Sequence, residues 1–409
     1  MMDHSYFTRQ RLACLTCAIL IVALLTSKFL LTVGMIALTA LGLLQRDIKN
    51  VFKKFLSDKA LLATTLIFFI VLISGAYSEN TDYFIERLRV KLPFLLLPLA
   101  FAGLPEFTRR QYYSLLYLLV IVMVIGAVQV GINYMLNWEE INEIIRRSGS
   151  MPTPIHHIRF SLLMALAIFA GLFLYKNNFY LKFPSEKYFL LASVVFLIIF
   201  IHVLSVRSGL LALYLSAFVL IMRYILLTRR YFIGTIMAIT IVALPIAAYH
   251  LSSSFHAQAN LMRHTYNEFF VKGNIGEYSD TQRLVSYQMA IKATESSPFI
   301  GVGMGDIKDV TTASYQKYYP TVSPKLPHNQ FLFFYTATGL VGLLFFSLAF
   351  FFPLVYKKRY RHALFLAFYV IVFTSFMVES TLETAIGTAF YVVFLLMLSH
   401  GMRHDTSEV

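Results

Sequence analysis

Twelve mostly apolar stretches, separated by short polar or basic connections, constrain this chain more than any motif in it. A helix rises about 1.5 Å per residue, so about 20 apolar residues cross a hydrocarbon core about 30 Å thick. A helix also satisfies its own backbone hydrogen bonds where no water can. The stretches fall at 12–27, 30–44, 60–77, 92–104, 112–136, 160–175, 188–206, 208–226, 231–250, 328–352, 363–377 and 384–398. The two weakest are the short ones at 30–44 and 92–104, and Lys28 is almost the only polar break between the first two. Composition agrees: of 409 residues, 58% are hydrophobic and 14% charged, against about 45–50% and about 25% in a soluble domain. A water-soluble enzyme is excluded. The expected fold class is an all-α polytopic membrane protein with about 12 transmembrane helices.

The formal net charge of +14 comes from 35 Lys and Arg against 21 Asp and Glu. These cations are scattered between apolar stretches rather than gathered on one soluble face, so nucleic acid is not an expected partner. Twenty of them fall in the short segments that are cytoplasmic if the N-terminus is inside: Arg9 and Arg11, the cluster in 45–59, Arg109 and Arg110, 176–187, Arg223, Arg229 and Arg230, 353–362, and Arg403. Eight fall in the opposite short segments: Lys28, Arg87, Arg89, Lys91, Arg146, Arg147, Arg159 and Arg207. The positive-inside bias then puts both termini in the cytoplasm and the long segment 251–327, with seven more, on the other face, the periplasm of a cell with two membranes. The first apolar run has no small-residue cleavage site followed by a polar start, so it reads as a retained helix.

No internal repeat is evident, and the expected organisation is one membrane domain over 1–409 with 251–327 inserted between the ninth and tenth helices. Within that segment Leu284, Tyr287, Ala290 and Ile291 recur at three-to-four spacing after Asp280, which predicts an amphipathic helix over 280–294 capped by Asp280. Cys14 and Cys17 form a CxxC inside the first apolar stretch, where they read as two small apolar residues on a lipid-buried helix.

Arginines on the outer side ask for a reason, because topology does not favour them there and lipid does not tolerate them cheaply. Arg207 lies in SVRSGLLAL between two apolar stretches, Arg159 in PIHHIRFSLL at the head of another, and Arg283 at the start of the amphipathic helix. Guanidinium groups bind phosphate bidentately and keep their charge when partly buried, so the three suit a pyrophosphate; each also suits snorkelling to lipid headgroups. His328 and Asn329 follow Pro327 at the lip of the tenth stretch. An imidazole with an ordinary pKa of about 6.5 can take a proton from a hydroxyl as general base, or serve as a cap and hydrogen-bonding residue; Asn329 can orient it or bind sugar hydroxyls.

His156 and His157 lie beside Arg159, but no Cys or second His cluster completes a metal set, and none is expected. The glycines of PFIGVGMGD, Gly301, Gly303 and Gly305, read as turn formers rather than a phosphate cradle. Glu379 and Glu383 in VESTLETAIG would lie one turn apart on one helix face, for acid–base work or for closing salt bridges to the outer arginines. The 38 Phe and 25 Tyr are expected mostly on lipid-facing or interfacial surfaces.

Taken together the pattern resembles the O-antigen ligase and polymerase superfamily, which holds WaaL-like ligases and Wzy-like polymerases. The matching pieces, in order, are the Arg-Ser-Gly at 207–209, the arginine-headed helix leading to P-F-x-G-x-G-x-G, the His328–Asn329 pair before a helix carrying Gly339 and Gly342, and the E-S-x-L-E from Glu379 to Glu383. The resemblance spans most of the chain and is specific from about 200 to 390. It implies a GT-C-class glycosyltransferase of the bacterial inner membrane that works at the periplasmic face. The donor would be a glycan on undecaprenyl diphosphate, used without metal or other cofactor in an inverting displacement by an acceptor hydroxyl.

His328 would be the base, and Arg207 and Arg283 would hold the diphosphate. Arg159 is carried on position alone, and Asn329, Glu379 and Glu383 as supporting residues. Ligation to lipid A-core leads. Polymerisation onto a second carrier-linked repeat, protein O-glycosylation, and a non-catalytic transporter of lipid-linked sugar stand as alternatives.

Overall fold

In the computed structural model, residues 4–147, 149–271 and 279–402 are described; Arg403 and the stretch 272–278 of the long segment lie outside them. Seventeen α-helices and no strand occur among the described residues. Contacts divide the chain into two compact units, 1–108 with 282–360 and 376–409, and 109–281 with 361–375.

The first unit begins with α1 (His4–Thr26), α2 (Lys28–Leu43), α3 (Ile48–Ser57), α4 (Lys59–Ser74) and α5 (Thr81–Gly103). Ser27 caps α2 and Asp58 caps α4 by accepting backbone N–H groups that the first turn leaves without partners. Small residues bring α2 and α5 together: a Cβ on Gly42 would sit 2.4 Å from the Ala100 carbonyl oxygen, and one on Gly103 would sit 2.1 Å from the Gly42 carbonyl oxygen.

The second unit holds α6 (Arg109–Leu136), α7 (Trp138–Arg146), α8 (His157–Lys176), α9 (Glu186–Leu204), α10 (Arg207–Thr228), α11 (Tyr231–Leu251) and α12 (Ser253–Tyr266). Its central helix is α8, almost wholly buried, with Gly209 of α10 pressed onto Ser161 and Gly171 onto Val194 of α9. The chain then forms α13 (Ser279–Thr294), inside which the unit boundary falls, followed in the first unit by α14 (Ile307–Tyr318) and α15 (Gln330–Val355). Most of α16 (Ala363–Val378) belongs to the second unit, and α17 (Ala385–Gly401), nearly all buried, to the first.

Eight helices among the described residues are long and apolar enough to cross a membrane, or nine if α2 and α3, bent by 105°, count as one span. These eight coincide with eight of the twelve apolar stretches. The stretch 30–44 is α2, and the last two are the shorter helices α16 and α17. The stretch 92–104 is only the second half of α5, which starts at Thr81 and carries Arg87, Arg89 and Lys91 in its first half. Hydropathy hides that half because three cations dilute it.

Two local expectations are corrected. Val285, Met289, Ala290 and Ala293 form the buried stripe of α13, whereas Ile291 is 50% exposed, so the packed face is turned from the one the apolar spacing suggested. Glu379 and Glu383 do not share a helix face, because α16 ends at Val378 and Thr381–Glu383 is a separate 3-10 turn. The aromatic residues also do more than form a belt. Phe334 and Phe346 stack at 4.0 Å inside a buried cluster with Phe350, Phe376 and Tyr391.

Candidate active site

The His328–Asn329 pair is fixed at the head of α15 by three independent contacts. Asn329 is the N-cap: its Oδ1 accepts from the backbone N–H of Phe331 at 2.9 Å and Leu332 at 3.0 Å. Its Nδ2 donates to the Met377 carbonyl at 3.3 Å. The expectation that the histidine itself caps the helix is therefore replaced: Asn329 does that work, and the imidazole is left for another role.

Helix α13 holds the backbone of His328 from the other side. Its N–H donates to Ser286 Oγ at 3.2 Å, and the Tyr287 hydroxyl donates to its carbonyl at 3.1 Å and to that of Met377 at 3.0 Å. Burial pushes the Tyr287 hydroxyl up, which keeps it a donor. Ser286 Oγ in turn donates to the carbonyl of Arg283 at 2.7 Å. Arg283 and His328 are thus brought together within the first unit. Burial first, then the positive charges of Arg283 and Lys325, push the half-buried imidazole down to about 4. At neutral pH it is an uncharged base beside two cations.

The glycine run closes the same arrangement behind the histidine. At Gly339 the helix α15 breaks, with φ +63°. Thr336 and Ala337 would ordinarily receive the N–H groups of Leu340 and Val341, four residues on. Instead their carbonyls accept from Val302 at 3.0 Å and Gly303 at 2.9 Å, while Leu340 and Val341 donate to the carbonyls of Pro298 and Phe299 at 2.9 and 3.1 Å. The loop after α13 therefore supplies the bonds the break removes. Gly301, at φ +73°, lies so close that a Cβ there would be 2.4 Å from the Thr338 nitrogen, and a Cβ on Gly339 would be 2.2 Å from the Phe299 carbonyl carbon. The run is a turn and a backbone contact.

Glu383 reaches this region through the first residue of α15. Gln330 donates from Nε2 to Glu383 Oε1 at 3.0 Å and accepts the backbone N–H of Leu382 at 2.7 Å. The same Glu383 oxygen takes the Lys91 ammonium at 2.7 Å; Lys91 also donates to the Leu382 carbonyl at 2.6 Å. Arg87 donates to the Glu383 carbonyl at 3.0 Å. Lys91 is fully buried and the Glu383 side chain 6% exposed. The salt bridge to this carboxylate therefore comes from a lysine. Glu379 is half-buried.

In the second unit, Arg207 is the first residue of α10, which follows Ser205 in a left-handed conformation. Its guanidinium donates to Asp280 and, at 3.3 Å, to Gln258. Arg159 lies in the first turn of α8 and is 8% exposed, which fits burial within protein and not a side chain extended to headgroups. His156 and His157 stack on each other at 4.4 Å, and His157 Nδ1 shares a 2.9 Å hydrogen bond with Ser150.

Sequence reasoning did not single out Ser286, Tyr287, Lys325 or Gln330 as site residues, and it treated Lys91 as a topology charge. Lys91 carried a signal, being a cation directly before an apolar stretch, but its partner lies 292 residues away.

No curated protein matches the chain. Residues 192–347 match the Wzy_C family model, described as O-Antigen ligase; the match includes Arg207, Arg283, His328, Asn329, Gly339 and Gly342, and leaves Arg159, Glu379 and Glu383 outside it. That match, carrying the glycine run and the His-Asn pair in one segment, supports placing the chain in the O-antigen ligase and polymerase superfamily.

Proposed function

We propose that this protein is a GT-C-class glycosyltransferase of the bacterial inner membrane that moves a glycan from undecaprenyl diphosphate to an acceptor hydroxyl at the periplasmic face. Its termini are cytoplasmic in this reading, and 251–327 is on the periplasmic side. The observation that carries it is the clamp of α13 on the head of α15, which sets the Arg283 charge beside an uncharged His328 within the matched segment.

In the proposed step the acceptor oxygen attacks the anomeric carbon as the bond to the diphosphate oxygen breaks. The acceptor proton passes to His328, and the electron pair leaves with the diphosphate. Arg283 meets the charge that grows on the leaving group; Arg207 and Arg159 are assigned to the same diphosphate on sequence grounds. A diphosphate leaves readily, so guanidinium groups suffice as its electrostatic partners without a metal ion. Asn329 and Glu383 support the base from behind, and Glu379 is carried with them.

Ligation to lipid A-core leads in this reading, with polymerisation onto a second carrier-linked repeat as the rival; the matched family model is described as O-Antigen ligase. Purified protein in nanodiscs, given a polyprenyl-diphosphate glycan and lipid A-core, tests the reading. His328→Ala should bind donor and lose about 10²–10⁴ in turnover, the usual worth of a positioned base. Turnover at the wild-type rate would remove the assignment. Arg283→Lys keeps the charge but loses the fork, and should cost about 10²-fold in kcat. Cells without the protein should accumulate long glycan on the carrier if it ligates, and a single repeat if it polymerises.

A further inference from the structure

Three side chains from three distant parts of the sequence meet behind the His-Asn pair: Lys91 from α5, Gln330 from the first turn of α15 and Glu383 from the turn before α17. Holding helices together does not require this chemistry. A buried ion pair loses hydration on both partners, and well-packed apolar residues of similar size do as well or better. Direction is what the polar set adds.

Glu383 Oε1 accepts from both Lys91 and Gln330, which leaves the Gln330 amide one orientation, and that orientation is locked again by the Leu382 N–H on its oxygen. Gln330 is fully buried and joined directly to the cap residue Asn329. The remaining Glu383 oxygen, Oε2, is buried with no hydrogen-bond partner among the described residues, and the side-chain hydrogen bonds from Lys91 and Gln330 both fall on Oε1.

We infer that Lys91, Glu383 and Gln330 are positioning residues for transfer: through the first turn of α15 they set the register in which Asn329 and His328 meet the reacting hydroxyl. This rests on the proposed role of His328 and adds to it an electrostatic brace from α5. A displacement of about 1 Å at a reacting group can cost about 10²-fold, so loss of the brace should act on kcat and leave the donor KM nearly unchanged.

The test compares Gln330→Met, Glu383→Gln, Lys91→Met and the pair Lys91→Met with Glu383→Gln in nanodiscs, scoring turnover per folded molecule and the rate at which diethyl pyrocarbonate modifies His328, read by mass spectrometry across pH. Gln330→Met, which leaves the ion pair intact, should lower kcat by about 10–10²-fold and alter His328 modification. Each single charge variant should do the same, while the double variant, with no uncompensated buried charge, should recover most of the loss.

Gln330→Met decides the matter if a charge variant does not fold. Wild-type kcat and an unchanged His328 modification profile in Gln330→Met would overturn the brace, even with His328→Ala inactive. A fully active His328→Ala would overturn the base assignment itself, whatever the brace variants do.

Discussion

The imidazole of His328 is held well below its ordinary pKa of about 6.5, to about 4, by burial and by the charges of Arg283 and Lys325. A base so depressed is always free at neutral pH but weak. Diphosphate arriving at Arg283 would cancel part of that depression, so the base should strengthen when substrate is present. The acid limb of kcat/KM should therefore lie well below 6.5, and that of kcat higher; Arg283→Gln should move the free-enzyme limb upward by removing one cation.

For stability the sign follows from linkage. The unfolded chain takes up a proton near 6.5 and the folded one only near 4, so this residue removes stability as pH falls through that window and contributes no further change below it. A melting series from pH 7 to pH 4 on wild type and His328→Gln checks this. At this scale the sequence was legible where residues are neighbours: proline, histidine and asparagine together announce a helix head. It was not legible for Lys91, because nothing local tells a cation before an apolar run that a carboxylate 292 residues away will meet it.

Among the elements, α15 shows where hydropathy stops being informative. A run of apolar residues reads as one continuous span, and Gly339 inside it looks like any small residue at a helix contact, yet the backbone there takes a left-handed turn and admits the loop 298–303. The reading of Gly301 and Gly303 as turn formers agrees with their positive φ. What they turn against was invisible, because a hydrogen-bond exchange between a loop and a broken helix leaves no period in the sequence.

Gly301→Ala and Gly339→Ala should each destabilise the protein, by about 1–3 kcal/mol for the backbone conformation alone, with the backbone overlap added. Detergent-solubilised thermal melts measure this, and an unchanged midpoint in both would contradict the exchange. The stripe of α13 departs from the apolar spacing for a related reason: Ile291 is 50% exposed, and the Tyr287 hydroxyl serves two carbonyls, a role that leaves no period in the sequence.

At the scale of the whole molecule, charge distribution gives an expected orientation that helix packing alone does not. Twenty cations in one set of short connections against eight in the other set a strong expectation, and α3, with Lys49, Lys53 and Lys54 exposed beside exposed Phe52 and Leu56, has the make-up of a helix lying in a headgroup layer. In a background with Cys14→Ser and Cys17→Ala, an impermeant maleimide added to intact spheroplasts should label Lys308→Cys and spare Lys53→Cys until the membrane is opened. The reverse pattern would overturn this topology and put the proposed site on the cytoplasmic side.

The exchange at Gly339 also bears on how the chain is made. Until the loop docks, the carbonyls of Thr336 and Ala337 and the N–H groups of Leu340 and Val341 have no partners in the folded arrangement, and in hydrocarbon each such orphan costs several kcal/mol. If α15 spans the membrane, its mature shape would be reached only once the preceding segment has docked, and a damaged loop would leave an unfinished span.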